Sequence, residues 1–182
     1  MKLVTFSTGA KYDGFAKALL ASAAAVGLEG KCYSMPDCGG WGPNVNQKPE
    51  VLLAAFEELK DDLLYVDADA LIVEYPALLK GCDRDVAAFF TDHERPTGGT
   101  LYFRNTPKSM EILKAWRKEI KGAPESADDF INLAEACRRC GVKPMHLPPA
   151  YCWHQASMRE RFPGARPVVI HFCAGEHNYK VY

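Results

Sequence analysis

The sequence predicts one α/β domain over residues 1–182, built on a central, mostly parallel mixed sheet flanked by helices. Three features carry this expectation. Apolar, β-branched runs alternate with helical runs through the first half, the pattern of parallel strands joined by helical crossovers. A short, strongly apolar run in mid-chain ends in Asp67-Ala68-Asp69. Later strand-like runs come with fewer helices between them, which turns the sheet mixed.

Residues 2–7 form the first expected strand, rich in β-branched and aromatic residues. Residues 12–26 are Ala- and Leu-rich and helical, stopped by Gly27 and Gly30. A second strand is expected at 31–35. Residues 36–49 hold Gly39, Gly40, Gly42 and Pro43 and read as a loop. Val51, Leu52, Ala55, Phe56 and Leu59 recur at helical spacing and predict a helix over 50–60. The strand at 62–66 follows, then an apolar run at 71–73 and a short turn or helix from Pro76.

Strands are expected at 85–91 and 100–104, with Thr97-Gly98-Gly99 as the lead into the second. Asn105-Thr106-Pro107 is a helix-start signal for an amphipathic helix over 109–121. A further helix is expected over 126–139, with Asp128 and Asp129 in its first turn. The last strands are expected at 142–147 and 168–172.

The 182 residues are enough for a sizeable core. The chain is 48% hydrophobic and 25% charged with a net charge of −1, so nothing in its bulk charge points to nucleic acid. No apolar stretch approaches the roughly 20 residues that span a bilayer. The first residues read as a strand and not as a secretory leader, which leads us to expect a cytoplasmic protein. Seven cysteines, an odd number, argue against a complete disulfide framework. Cys137 and Cys140 share a helix face, and no second such pair exists to complete a zinc site, so burial is the expected role.

The central motif carries the chemistry. Open α/β sheets bind ligands at the carboxyl ends of their strands. A buried strand ending in two acids puts Asp67 and Asp69 at that edge, and alternation points both to one side. Two neighbouring carboxylates repel each other and invite a cation. Hard oxygen ligands suit Mn²⁺ or Mg²⁺, which can bridge a diphosphate. An isolated pair of this kind is otherwise a solvated turn.

With Leu64-Tyr65-Val66-Asp67-Ala68-Asp69 the sequence resembles the GT-A nucleotide-diphospho-sugar transferases, notably the retaining branch with glycogenin and bacterial galactosyltransferases. The resemblance runs in order over most of the chain. Lys48-Pro49 stands where the family has a basic residue ahead of the metal-binding strand. Gly98 to Thr106 is similar to its Asn-Ser-Gly strand, which lines the sugar pocket, but glycines replace Asn-Ser here. Asp128-Asp129 resembles its donor-contacting acidic pair, and His171 to Lys180 its His…Gly…Lys segment.

The resemblance implies a Rossmann-like GT-A fold and a metal-dependent glycosyltransferase. Its donor would be a nucleotide-diphospho-sugar, by default a UDP-sugar, and its acceptor stays undefined. Asp67, Asp69 and His171 would hold the metal, with His171 neutral. Ala68 and Gly99 would line the donor, and Lys180 would add positive charge to the diphosphate. Gly175 would let backbone approach the phosphates or serve as a plain turn. Lys48 would meet phosphate or sit at the surface. Thr8 and Tyr12 follow the first strand, where this fold binds base and ribose; Tyr12 stacks on the base or packs locally. Asp128 and Asp129 would accept bonds from sugar hydroxyls or cap their helix. In an inverting reaction one of them would be the base; the resemblance leans to retention. Trp41, Tyr151, Trp153 and His154 suit a sugar acceptor or a packing cluster.

Two other readings compete with this one. A haloacid-dehalogenase-type phosphatase also places Asp-x-Asp after a strand, but near the chain start and with Thr or Val where Leu71 stands. A non-catalytic nucleotide-sugar-binding relic, or an assembly subunit, would account for the Gly98-Gly99 departure. The modest length implies that a second copy of the chain or another partner presents the acceptor.

Overall fold

The computed structural model describes residues 1–90, 96–122 and 129–172. In chain order the elements begin with β1 (Lys2–Ser7), α1 (Ala10–Ala25), β2 (Gly30–Ser34), α2 (Trp41–Val45), α3 (Lys48–Leu59), β3 (Leu63–Val66) and β4 (Ala70–Ile72). They continue with β5 (Val86–Phe90), β6 (Pro96–Phe103), α4 (Pro107–Gly122) and α5 (Asp129–Arg139). The last are β7 (Met145–His146), β8 (Trp153–His154), α6 (Gln155–Arg161) and β9 (Val169–His171).

Six strands form the main sheet in the order β2-β1-β3-β6-β5-β7. β1 pairs parallel with β2 and β3, and β5 parallel with β7, whereas β6 runs antiparallel to both its neighbours. This is the mixed, mostly parallel sheet that the sequence predicts. A second sheet, β4-β9-β8, has three short strands.

The period of two sorts the core onto the two faces. Leu3, Leu64, Val66, Ala87 and Tyr102 pack on one side with Leu19 and Ala23 of α1 and with Ile72 and Val169 of the small sheet. Val4, Leu63, Tyr65, Leu101 and Phe103 pack on the other with Val51, Leu52 and Phe56 of α3, Trp116 of α4 and Leu133 of α5. β3 is central, so all four of its residues are buried. That is why it reads as an unbroken apolar run rather than an alternating one.

Several boundaries differ from the expectations. Residues 36–49 are not all loop: Trp41 to Val45 form a helical turn, and α3 starts at Lys48 because Pro49 suits a first turn. Gly98 and Gly99 lie inside β6. There, ladder bonds and a close side-chain neighbour outweigh the weak strand preference of glycine. The strand expected at 142–147 shortens to Met145–His146. Tyr151 ends a 3₁₀ turn, and Trp153 and His154 form β8, ahead of α6. Tyr151 and Trp153 are buried in the core, so the acceptor role considered for them gives way to packing. Cys137 is buried and joined to no other cysteine, and burial pushes its thiol up to about 12.

Candidate functional site

The two sheets meet at Asp67 to Asp69. β3 ends at Val66, but its pairing with β6 continues one residue further, where the Asp67 amide donates to the Gly99 carbonyl at 2.9 Å. Two residues on, the chain belongs to the small sheet. The Phe172 amide donates to the Asp69 carbonyl at 3.0 Å, and Ala70 pairs with His171. Each acid is therefore tied by backbone to a different sheet, and β9 delivers His171 beside them. One ligand atom from each of Asp67, Asp69 and His171 lies within 4.8 Å of the other two. Among the described residues no other group of three could hold a metal. Two carboxylates and an imidazole, with no thiolate, suit Mn²⁺ or a similar divalent ion.

Asp67 is held firmly. Its Oδ1 accepts the Tyr65 hydroxyl at 2.7 Å and lies 3.2 Å from Lys48 Nζ. Tyr65 stands two residues before Asp67, so strand alternation puts both on one side. Lys48 is only 2% exposed; its ammonium also donates to the Gly98 carbonyl at 3.1 Å and lies 5.4 Å from the Tyr65 ring centroid. The surface position considered for Lys48 gives way to burial, because a buried ammonium needs a fixed counterion and Asp67 supplies it.

His171 is buried, with Nε2 2.8 Å from the Thr100 hydroxyl. Burial lowers its pKa to about 4 despite the pull of Asp67, and His154 and Lys48 push the same way. The ring is therefore neutral at pH 7, as a metal ligand must be. Gly99 leaves the space between ring and acid. A Cβ there would stand 3.0 Å from His171 Cε1, 3.3 Å from its Nδ1 and 3.5 Å from Asp67 Oδ2. This cradle, bounded by a nitrogen and a carboxylate oxygen, fits a cation. His154 pairs in register opposite His171 with ring centroids 5.4 Å apart, and its Nε2 is 3.4 Å from Cys152 Sγ.

The remaining expected residues fall into two groups. Thr8 directly follows β1, at the same sheet edge as Asp67 because β1 and β3 are parallel, and Tyr12 lies in the first turn of α1. Tyr12 packs edge-on against Phe15 at 6.1 Å, with Lys11 over its ring. Ala68 is buried between the two acids. Asp128, Gly175 and Lys180 lie outside the described residues; Asp129 opens α5, but its side chain is not among those described.

Sequence reading missed Tyr65 and Thr100. Tyr65 carried a signal, its i, i+2 spacing to Asp67. Thr100 carried none without the β3–β6 register that sets it opposite Val66.

No protein-family model and no curated protein sequence matches the chain. Solved structures do. A glycosyltransferase involved in the glycosylation of the major capsid of PBCV-1 aligns with a TM-score of 0.69 and 14% identity, covering 96% of this chain and 93% of that one. The apo form of the glycosyltransferase GlyE from Streptococcus pneumoniae TIGR4 aligns with a TM-score of 0.68 and 14% identity. That alignment covers all of this chain and 56% of GlyE. A second GlyE structure gives a TM-score of 0.62. The chain has a glycosyltransferase fold.

Proposed function

We propose that the chain is a metal-dependent glycosyltransferase that moves a sugar from a nucleotide-diphospho-sugar, a UDP-sugar in the first instance, to an acceptor hydroxyl. The observation that carries this reading is the convergence of Asp67, Asp69 and His171 within 4.8 Å at the junction of two sheets in a glycosyltransferase fold. A divalent ion held there would supply Lewis-acid charge for a departing diphosphate. The chain's own residues do the positioning. Tyr65 and Lys48 fix Asp67 through Oδ1, which turns Oδ2 toward the Gly99 space. Burial keeps the His171 ring uncharged and able to donate a lone pair. We read the transfer as retaining, by resemblance.

A thermal-shift panel of UDP-, GDP-, CMP- and dTDP-sugars, with and without Mn²⁺, tests the donor class. The expected result is a shift that needs both a nucleotide sugar and Mn²⁺ and vanishes in Asp69→Ala. Equal shifts in wild type and variant would remove the metal from the reading. Binding without turnover over many acceptors would mark a relic. The anomeric configuration of the first product, followed by proton NMR, decides retention.

A further inference from the structure

We propose that Thr100 is a positioning residue that sets the tautomer of His171: the imidazole Nε2–H donates to Thr100 Oγ1, leaving the Nδ1 lone pair on the side of Asp67 Oδ2 and the Gly99 space. The metal half of this inference rests on the reading above; the tautomer half does not.

Three observations support it. The Thr100 hydroxyl is fully buried and 2.8 Å from Nε2, so the two groups satisfy each other where water is excluded. Nδ1 is the nitrogen beside the cradle, since a Cβ on Gly99 would lie 3.3 Å from it and 3.5 Å from Asp67 Oδ2. The hydroxyl is also rigidly placed, because Thr100 pairs with Val66 in the middle of the main sheet while His171 arrives from the small sheet. The bond thus spans the two sheets and orients the ring.

A neutral imidazole has one N–H and one lone pair, and the partner of the first decides where the second points. Ligating histidines ordinarily have such an outer partner, and its loss costs about 10–100-fold in metal affinity. Without the hydroxyl, an N–H at Nε2 would be buried with no acceptor. The proton would then move to Nδ1, beside the Asp67 carboxylate, and occupy the metal-facing position.

The test compares wild type, Thr100→Val and Thr100→Ser. Valine keeps the shape and strand preference of threonine; serine restores the hydroxyl. Long-range ¹H–¹⁵N NMR on the metal-free proteins at neutral pH reads the His171 tautomer directly. Mn²⁺ titration followed by electron paramagnetic resonance reads affinity. We expect Nε2–H in wild type and Thr100→Ser, a shift toward Nδ1–H in Thr100→Val, and Mn²⁺ binding about 10–100-fold weaker in the valine variant alone. Nδ1–H in the wild type, or an unchanged tautomer and unchanged affinity in folded Thr100→Val, would overturn the proposal. Failure of the metal reading looks different: Mn²⁺ binding equal in wild type and Asp69→Asn, with the tautomers as expected.

Discussion

Lys48 is the residue whose placement departs furthest from its sequence context. A lysine at a helix start is ordinarily solvated, yet here it is a buried counterion to Asp67. Removing one member of a buried pair strands the other. Asp67 keeps 32% side-chain exposure, so the cost is smaller than for a fully buried pair. Lys48→Met should lower stability by roughly 2–4 kcal/mol in urea unfolding. Mn²⁺ should raise the melting temperature of the variant by more than that of the wild type, since a bound cation takes over the neutralising role. Equal Mn²⁺ shifts would show that Lys48 and the metal do not share Asp67.

His171 gives a pH prediction of definite sign. Its folded pKa, about 4, lies below the ordinary 6.5. The unfolded chain therefore takes up a proton that the buried ring refuses. Stability is undiminished above pH 6.5 and falls as pH drops toward 4, by roughly 3 kcal/mol for this group. Carboxylates titrate in part of that range, so the measurement is a difference. Metal-free wild type should lose stability between pH 6.5 and 4 that His171→Gln keeps. Parallel curves would show that the imidazole is not buried uncharged.

At the level of elements, β6 does the most to shape the site. It brings Pro96 to Phe103 alongside β3 and sets Gly98, Gly99 and Thr100 against Lys48, Asp67 and His171 in turn. The need at Gly99 is for space and not for unusual backbone, since a methyl group would press on the His171 ring from 3.0 Å. Gly99→Ala should weaken Mn²⁺ binding about tenfold, the scale of an outer-shell defect, with little change in melting temperature. Unchanged binding would mean that the cation does not use the cradle. The two glycines also explain why the sequence predicts a lead-in here: glycine is a poor strand former, and only its neighbours reveal why it is needed.

For the whole molecule, the site depends on how a six-stranded and a three-stranded sheet are docked. Ile72 is buried in β4, beside Val169 of β9, two residues before His171. Trp116 is buried on the opposite face of the main sheet. Both truncations to alanine should cost stability, about 2–5 kcal/mol for Ile72 and 3–5 for Trp116. Only Ile72→Ala should also weaken Mn²⁺ binding, because it loosens the strand that carries the histidine. Equal Mn²⁺ affinity in the two folded variants would show that the small sheet does not set the ligand geometry.

Much of this was legible in the sequence, for a physical reason. Hydrophobic period is a local property, so β1, α1, β3 and α4 follow from short windows, and a buried strand ending in two acids puts two carboxylates at the sheet edge. Tyr65 was within reach for the same reason, two positions from Asp67. Contacts between segments far apart in the chain were not legible there: Lys48 on Asp67, Gly99 under His171, Thr100 on Nε2, and Tyr151 and Trp153 in the core instead of at an acceptor. Those depend on strand register and on the packing of two sheets, which no short stretch of residues specifies alone.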